Sequence, residues 1–367
     1  MKVALIAIRT SDKKLNRYEL IKLLQSKGYQ VSYFAKKSEG KIHSDYNDYN
    51  VRFIESPLLR ANLNPIKEIK VLISLLKIFK REQFDSIVVY GINIMPSVII
   101  AAKLSRIKNI IAIVNGSGRL FKLKGIKGFF IKSISYPLLK LSFKVSKHVF
   151  VQNLDDIVLL KKKHLLSNNY SHINGSGVNI ERFKYTSLKV TNSFTMISRL
   201  TGLKGVNEFL YTAKNIKLKY PEVRFNLIGP MDNDDKSINI TLFEECIQNG
   251  IVNYYGEVEN VKKYLVKTSV FVLPSYYPEG VPRAILEAMS VGRPIITTNS
   301  PGCRETVING ENGFLIEPKS IEDLTEKVEW MIKNENCLKH MGLKSRELCE
   351  KKFDVNLVNK DIVEKID

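Results

Sequence analysis

The chain is poor in cysteine, and its cysteines are not paired. Cys246, Cys303, Cys337 and Cys349 are scattered over 367 residues, with no C-x-x-C. That spacing excludes a disulfide frame and a zinc site, and it points to reduced thiols in the cytosol. His43, His148, His164, His172 and His340 are equally dispersed and form no H-x-x-x-H, so no metal is expected. Asp232, Asp234 and Asp235 share a loop and read as solvated rather than metal-binding. No apolar run approaches the roughly 20 residues that a membrane span needs. The start, Met-Lys-Val-Ala-Leu-Ile-Ala-Ile, is too short for a signal h-region and has no small-residue cleavage site. Neither G-x-x-x-x-G-K-[ST] nor G-x-G-x-x-G follows the first apolar segment, which argues against a P-loop or simple dinucleotide protein.

Acidic residues are also missing where they would be expected. Residues 1–185 hold 33 Lys and Arg against 12 Asp and Glu, whereas residues 186–367 hold 24 against 25. The whole net charge of +20 therefore comes from the first half. From Lys103 to Lys147 there are 11 basic residues and no acid. Such asymmetry predicts a polyanionic partner for the first half. Between Arg119 and Phe150, lysines alternate with Phe129, Phe130, Ile134, Tyr136, Leu138, Leu139, Leu141 and Phe143. That suits an interfacial element, with its apolar face among lipid headgroups and its lysines on anionic lipid. The same charge would serve a nucleic acid, but no nucleic-acid motif accompanies it. An ordinary helix with a basic solvent face would also give this pattern.

A chain of this length suggests two domains. Apolar strand segments alternate with segments of helical period throughout. In the first half the strands are Val3–Ile8, Val31–Phe34, Val51–Ile54, Ser86–Tyr90, Ile110–Val114 and His148–Gln152. In the second they are Phe194–Ser198, Arg224–Ile228, Val252–Tyr255, Val270–Leu273 and Ile295–Thr298. This alternation predicts parallel, doubly wound α/β sheets. The pattern loosens at about 183–193, and a linker is placed there. The expected domains are 1–185 and 186–350, with 351–367 a terminal helix packing back on the first. Two such domains would face each other across a cleft, with ligands beyond the carboxyl ends of the strands.

Candidate chemistry gathers at those ends in the second half. Arg199 and Lys204 lie between the strand Phe194–Ser198 and the next helix, where two cations can neutralise a diphosphate. They would also pass as solvated surface cations. Glu279 and Glu287 flank the junction Gly280-Val281-Pro282-Arg283. Glycine, free amides and a helix start there favour a phosphate. Glu279 could meet sugar hydroxyls, and the Glu287 carboxylate could accept two bonds from vicinal hydroxyls. From spacing alone, a loop acid and a solvated helix glutamate are about as good a reading. Gly229 and the Tyr255-Gly-Glu-Val258 turn occupy equivalent positions, and their backbone could meet a nucleobase edge or simply turn.

The motifs resemble a known family. E-G-x-P-x-x-x-x-E-A (Glu279, Gly280, Pro282, Glu287, Ala288) is followed by G-x-P-I-I (Gly292, Pro294), G-x-x-E-x-V (Gly302, Glu305) and G-x-x-G-F-L (Gly310, Gly313). With Ser198-Arg-Leu and Lys204-Gly, these are similar to the retaining glycosyltransferases of family 4, which have the GT-B fold of two Rossmann-like domains. Leu59-Arg-Ala-Asn-Leu-Asn-Pro65 and Val114-Asn-Gly-Ser-Gly118 resemble, within that family, the bacterial undecaprenyl-diphosphate-sugar transferases such as the bacillosaminyl-diphospho-undecaprenol N-acetylgalactosaminyltransferases. The resemblance implies a metal-independent, retaining hexosyltransferase without cofactor. It implies a UDP-sugar donor held by Arg199, Lys204, Glu279 and Glu287, and amides after Glu279 against the phosphates. It implies a lipid-diphosphate-linked glycan acceptor, met at Thr10, Arg17, Asn115 and Gly116. Attachment to the inner face of the cell membrane would follow. An epimerase of the same fold, a transferase with a soluble acceptor and a basic lipid- or nucleic-acid-binding protein are the competing expectations.

Overall fold

The computed structural model describes residues 1–7, 17–35, 50–58, 65–118, 120–232 and 235–367. The chain divides into two compact units, residues 1–174 with 358–367, and residues 175–357. Each is built on one parallel sheet.

The first sheet contains β1 (Lys2–Ile6), β2 (Gln30–Ala35), β3 (Arg52–Glu55), β4 (Ser86–Tyr90), β5 (Asn109–Val114), β6 (His148–Val151) and β7 (Tyr170–His172), in the order β3-β2-β1-β4-β5-β6-β7. Its central strands β1, β4 and β5 are near-continuous apolar runs because both faces are covered, as parallel sheets with crossover helices require. Side chains alternate between the faces. Ala4, Ile6, Phe34, Ile87 and Val89 share one core with α2 (Pro65–Glu82), α3 (Met95–Leu104) and α4 (Gly125–Val145). Val3, Leu5, Tyr33, Val88 and Ile111 share the other with α1 (Tyr18–Ser26). A short helix, α5 (Leu154–Lys162), follows β6; the Asn153 side chain caps it by accepting from the Asp156 amide at 2.7 Å.

The second sheet contains β8 (Ser193–Ile197), β9 (Arg224–Ile228), β10 (Val252–Tyr254), β11 (Val270–Leu273), β12 (Ile295–Thr298) and β13 (Gly313–Ile316), in the order β10-β9-β8-β11-β12-β13. Its helices are α6 (Val206–Lys219), α7 (Ile240–Gln248), α8 (Lys262–Leu265), α9 (Arg283–Ser290), α10 (Ile321–Lys333) and α11 (Glu335–Leu348). In α12 (Val355–Ile366), Val358, Ile362, Val363 and Ile366 complete the core of the first unit beside Val3 and Leu5.

The expected alternation is present, and two edge strands escape it. β7 is three half-buried residues, paired among the described residues with β6. β13 pairs with β12 at the edge of the second sheet. β7, Tyr-Ser-His, contains no apolar run, and β13 opens on Gly313 directly after the Gly310-Glu-Asn turn. The basic segment is also sharper than its sequence pattern. Within α4, Leu139 and Phe143 are core residues, and Tyr136 stacks on Phe121 with ring centroids 5.4 Å apart. These three therefore leave the exposed set expected from the sequence. Ile126, Phe129, Phe130, Ile134, Leu138 and Leu141 remain on the outward face, with Phe129 68% and Phe130 62% exposed.

Candidate active site

In both sheets the strand order reverses between the first strand of the unit and the fourth. In open parallel sheets that reversal leaves a crevice beyond the strand ends, where ligands bind. In the second unit it lies between β8 and β11, and the loops leaving those two strands carry Arg199, Lys204 and Glu279.

Close backbone approaches build the crevice. A Cβ on Gly205 would overlap the Pro274 carbonyl, and Gly205 itself is left-handed at φ 81°, so only glycine joins this loop to α6 without strain. A Cβ on Gly302 would overlap the Gly280 carbonyl in the same way. The Tyr276 amide bonds the Leu203 carbonyl at 2.9 Å, which ties the β11 loop to the β8 loop. Lys204 and Glu279 are then ion-paired, with both side chains largely buried. The Glu279 carboxylate also accepts from Ser275 Oγ at 3.1 Å, and the Lys204 ammonium lies 5.4 Å from the centre of the Tyr277 ring.

Beside them, Arg199 Nη1 is 3.0 Å from the Asp232 carboxylate. Asp232 is thus a partner of the site, contrary to the expectation that it is solvated. No local pattern signals this pairing, because its register comes from the β9 loop. Arg199 Nε, Ser198 Oγ and Thr201 Oγ1 are buried and meet no hydrogen-bond partner among the described residues. Buried polar groups are almost always satisfied. Three unmet groups able to donate, within four residues of one β-to-α loop, are what an oxyanion ligand would use. The two hydroxyls flanking Arg199 could have been noticed in the sequence.

The remaining donor-side residues are arranged around this centre. Pro282 caps α9 with an extended backbone and Gly280 and Val281 are buried just before it. Arg283 Nη2 lies 3.6 Å from Glu287 Oε1 one turn further on, so Glu287 is an internally paired carboxylate as well as a candidate ligand. Gly229, at φ 137°, passes so close to the Ser198 carbonyl that a Cβ would overlap it, and its own carbonyl accepts from Tyr254 Oη at 3.0 Å. Val258 is half-buried and packs on the core. Cys303 is fully buried against the Ser275 carbonyl, and burial pushes its thiol up to about 11, so it is inert.

Three of the four acceptor candidates meet at the carboxyl edge of the first sheet. The Arg17 guanidinium lies 3.9 Å from the centre of the Tyr90 ring, at the end of β4, and its Nε is buried without an acceptor among the described residues. Asn115 is exposed just after β5, with its Oδ1 3.7 Å from where a Cβ on Gly91 would sit. Gly116, at φ 115°, is buried beside it. Thr10 lies outside the described residues. Among the described residues no group of three or more His, Cys, Asp or Glu side chains could hold a metal ion.

Comparison with known proteins agrees with this architecture. Residues 178–348 match the family described as glycosyl transferases group 1, and residues 2–153 match the glycosyl transferase 4-like family. The chain belongs to the GT-B glycosyltransferases, family 4 among them. It is 30% identical over 321 residues, 82% of this chain and 79% of the other, to a UDP-Gal:alpha-D-GlcNAc-diphosphoundecaprenol alpha-1,3-galactosyltransferase of Escherichia coli. It is 27% identical over 333 residues, 87% of this chain and 86% of the other, to the N,N'-diacetylbacillosaminyl-diphospho-undecaprenol alpha-1,3-N-acetylgalactosaminyltransferase of Campylobacter jejuni. The fold is shared with Anabaena HepE crystallised with UDP and glucose, at a TM-score of 0.79 and 14% identity, over 100% of this chain and 99% of that one.

Proposed function

We propose that the protein transfers a hexose or N-acetylhexosamine, with GalNAc the first choice, from a UDP-sugar to a saccharide carried on undecaprenyl diphosphate. The product would serve bacterial surface-glycan or glycoprotein assembly. The observation that carries this reading is the cluster of Arg199, Lys204 and unmet donors beside Glu279 at one strand crossover. The acceptors named for the Campylobacter and Escherichia relatives are both sugars on a diphosphate-linked polyprenol, and that supports the acceptor class.

The roles follow from charge. Arg199 and Lys204 stabilise the diphosphate as the bond from the anomeric carbon to the phosphate oxygen breaks and its electron pair leaves with the phosphate. Glu279 fixes Lys204 and meets sugar hydroxyls, the Glu287 carboxylate takes the ribose hydroxyls, and the Gly280–Arg283 backbone meets the phosphates. The turn at Gly229 and Val258 faces the base. The acceptor hydroxyl bonds the anomeric carbon on the face the diphosphate leaves, and its proton passes to a leaving phosphate oxygen. The configuration is then retained, with no metal ion and no cofactor needed. Arg17, Asn115 and Gly116 would meet the acceptor.

The outward face of α4 supports work at the inner face of the cell membrane. Ile126, Phe129, Phe130, Ile134, Leu138 and Leu141 are exposed together, with Lys127, Lys140 and Lys144 among them. Among the described residues no helix is long and apolar enough to cross a membrane. The face suits shallow insertion with lysines on anionic headgroups. Sedimentation with vesicles containing anionic lipid is expected to show binding that weakens as salt rises. Phe129→Ser with Phe130→Ser should reduce that binding at least about tenfold, since each buried aromatic contributes on the order of 1.5–3 kcal/mol. Unchanged binding by the double variant, or none by the wild type at low salt, would remove the membrane from this account.

The reaction is tested with a panel of UDP- and GDP-sugars and a lipid-diphosphate-linked acceptor. The expected result is release of nucleotide diphosphate from a UDP-sugar that depends on the acceptor. Donor turnover without transfer would indicate an epimerase, and turnover of no donor would leave a binding protein.

A further inference from the structure

Arg199 is held by one corner. Its Nη1 is paired with Asp232 at 3.0 Å, while its Nε is buried with no acceptor among the described residues. The arrangement is fixed by backbone and not by side-chain chance. The β8 and β9 loops stay paired beyond their strands: the Leu200 amide bonds the Pro230 carbonyl at 2.9 Å, and the Asp232 amide bonds the Leu200 carbonyl at 3.2 Å. Gly229 makes this possible, because any side chain there would strike the Ser198 carbonyl. Asp232 therefore sits in register beside Arg199, with its side chain 14% exposed.

A guanidinium is a planar fork whose two edges can each grip an oxyanion bidentately. With Nη1 anchored, the edge carrying Nε remains. Ser198 and Thr201, on the same loop, also carry buried hydroxyls without partners among the described residues. We infer that Asp232 is a positioning residue, which anchors Nη1 of Arg199 so that its Nε edge grips the diphosphate of the nucleotide-sugar donor. This rests on the donor-site reading above. The rival role for the same contact is competition, in which Asp232 occupies Arg199 and must release it before a diphosphate binds. The two roles predict opposite signs.

The test is calorimetric titration of UDP into the wild type, Asp232→Asn, Arg199→Ala and the double variant, with thermal melts of each. Asp232→Asn keeps size and shape and removes the charge. Its affinity for UDP is expected to fall about tenfold, as for residues that share one ion-pair network. In the Arg199→Ala background the same change should move affinity less than about twofold, because the group that Asp232 positions is gone. The KM for the donor should rise with Asp232→Asn while the KM for the acceptor stays constant. Tighter UDP binding by Asp232→Asn would establish competition and overturn the inference. So would unchanged binding, or an equal loss in both backgrounds, which marks a fold effect that the melts would also report. If the wild type binds no UDP while transferring sugar from another nucleotide, the donor assignment fails first and the same cycle is run with that nucleotide's diphosphate; if it binds none, the inference falls with the site.

Discussion

Lys204→Ala is expected to lower sugar transfer by about two to three orders of magnitude, the loss typical when one preorganised group that stabilises developing negative charge is removed. Lys204 is largely buried and ion-paired with Glu279, in a crevice where its charge is less screened than on the surface. Its removal takes away stabilisation of the departing diphosphate. It also leaves the Glu279 carboxylate, held by Ser275, without its cation. UDP affinity should fall as well. Glu279→Gln keeps the shape and the hydrogen bond from Ser275, and removes only the charge. It should cut transfer about a hundredfold while UDP binding falls only a fewfold, since Lys204 loses its ion-pair partner but keeps its charge, whereas the proposed contact to the sugar is weakened. Initial rates and titrations on folded variants separate the two. Wild-type rates from both variants would show that the pair lies outside the reaction.

Arg293→Leu should have the largest effect on stability. Arg293 is fully buried in the second unit. Its Nε bonds the Leu265 carbonyl at 2.9 Å, Nη2 bonds Val266 at 3.1 Å, and Nη1 bonds Thr186 at 3.0 Å and Gly292 at 3.1 Å. Two of these carbonyls end α8, so the cation caps a helix C-terminus where positive charge is favoured. Burial pulls the Arg293 pKa down to about 10, which leaves it charged at neutral pH. Leucine would abandon four carbonyls at once, two at fully buried bonds and two at partly buried ones. The expected cost is about 3–4 kcal/mol, or a fall in melting temperature of roughly 10 °C for a unit of this size. Arg293→Lys should recover part of the loss, because an ammonium keeps the charge but cannot span all four acceptors. A melt within about 1 °C of wild type for Arg293→Leu would refute this role.

Arg293 also shows where reading a sequence stops. In the string Gly292-Arg-Pro-Ile-Ile it looks like a surface cation between a helix and a strand. Nothing local reveals that Thr186 and the end of α8 converge on it from 107 and 28 residues away. Asp232 has the same lesson at the site: its partner is chosen by the register of two loops. What was legible depended on local rules. The apolar runs of the strands, Pro282 at the head of α9, and Arg199, Lys204 and Glu279 at strand ends follow from period and turn chemistry. β7 is not legible because Tyr170-Ser-His contains no apolar run, and β13 because it opens on Gly313 directly after the Gly310-Glu-Asn turn; β10, just as short, shows in the sequence. In α4, apolar residues on the core face and the outward face together blur the helical repeat, so the sequence could not separate Phe143, which is core, from Phe130, which is exposed.

The proposed seat of the nucleotide-sugar donor is the point where the second sheet reverses its strand order. Hydrogen exchange with and without saturating UDP tests it most directly. Slowed exchange is expected at the amides of residues 198–205 and 279–287, with the end of the first sheet at Asn115 and Gly116 unchanged. Protection confined to the first unit, or protection nowhere despite measurable binding, would contradict it.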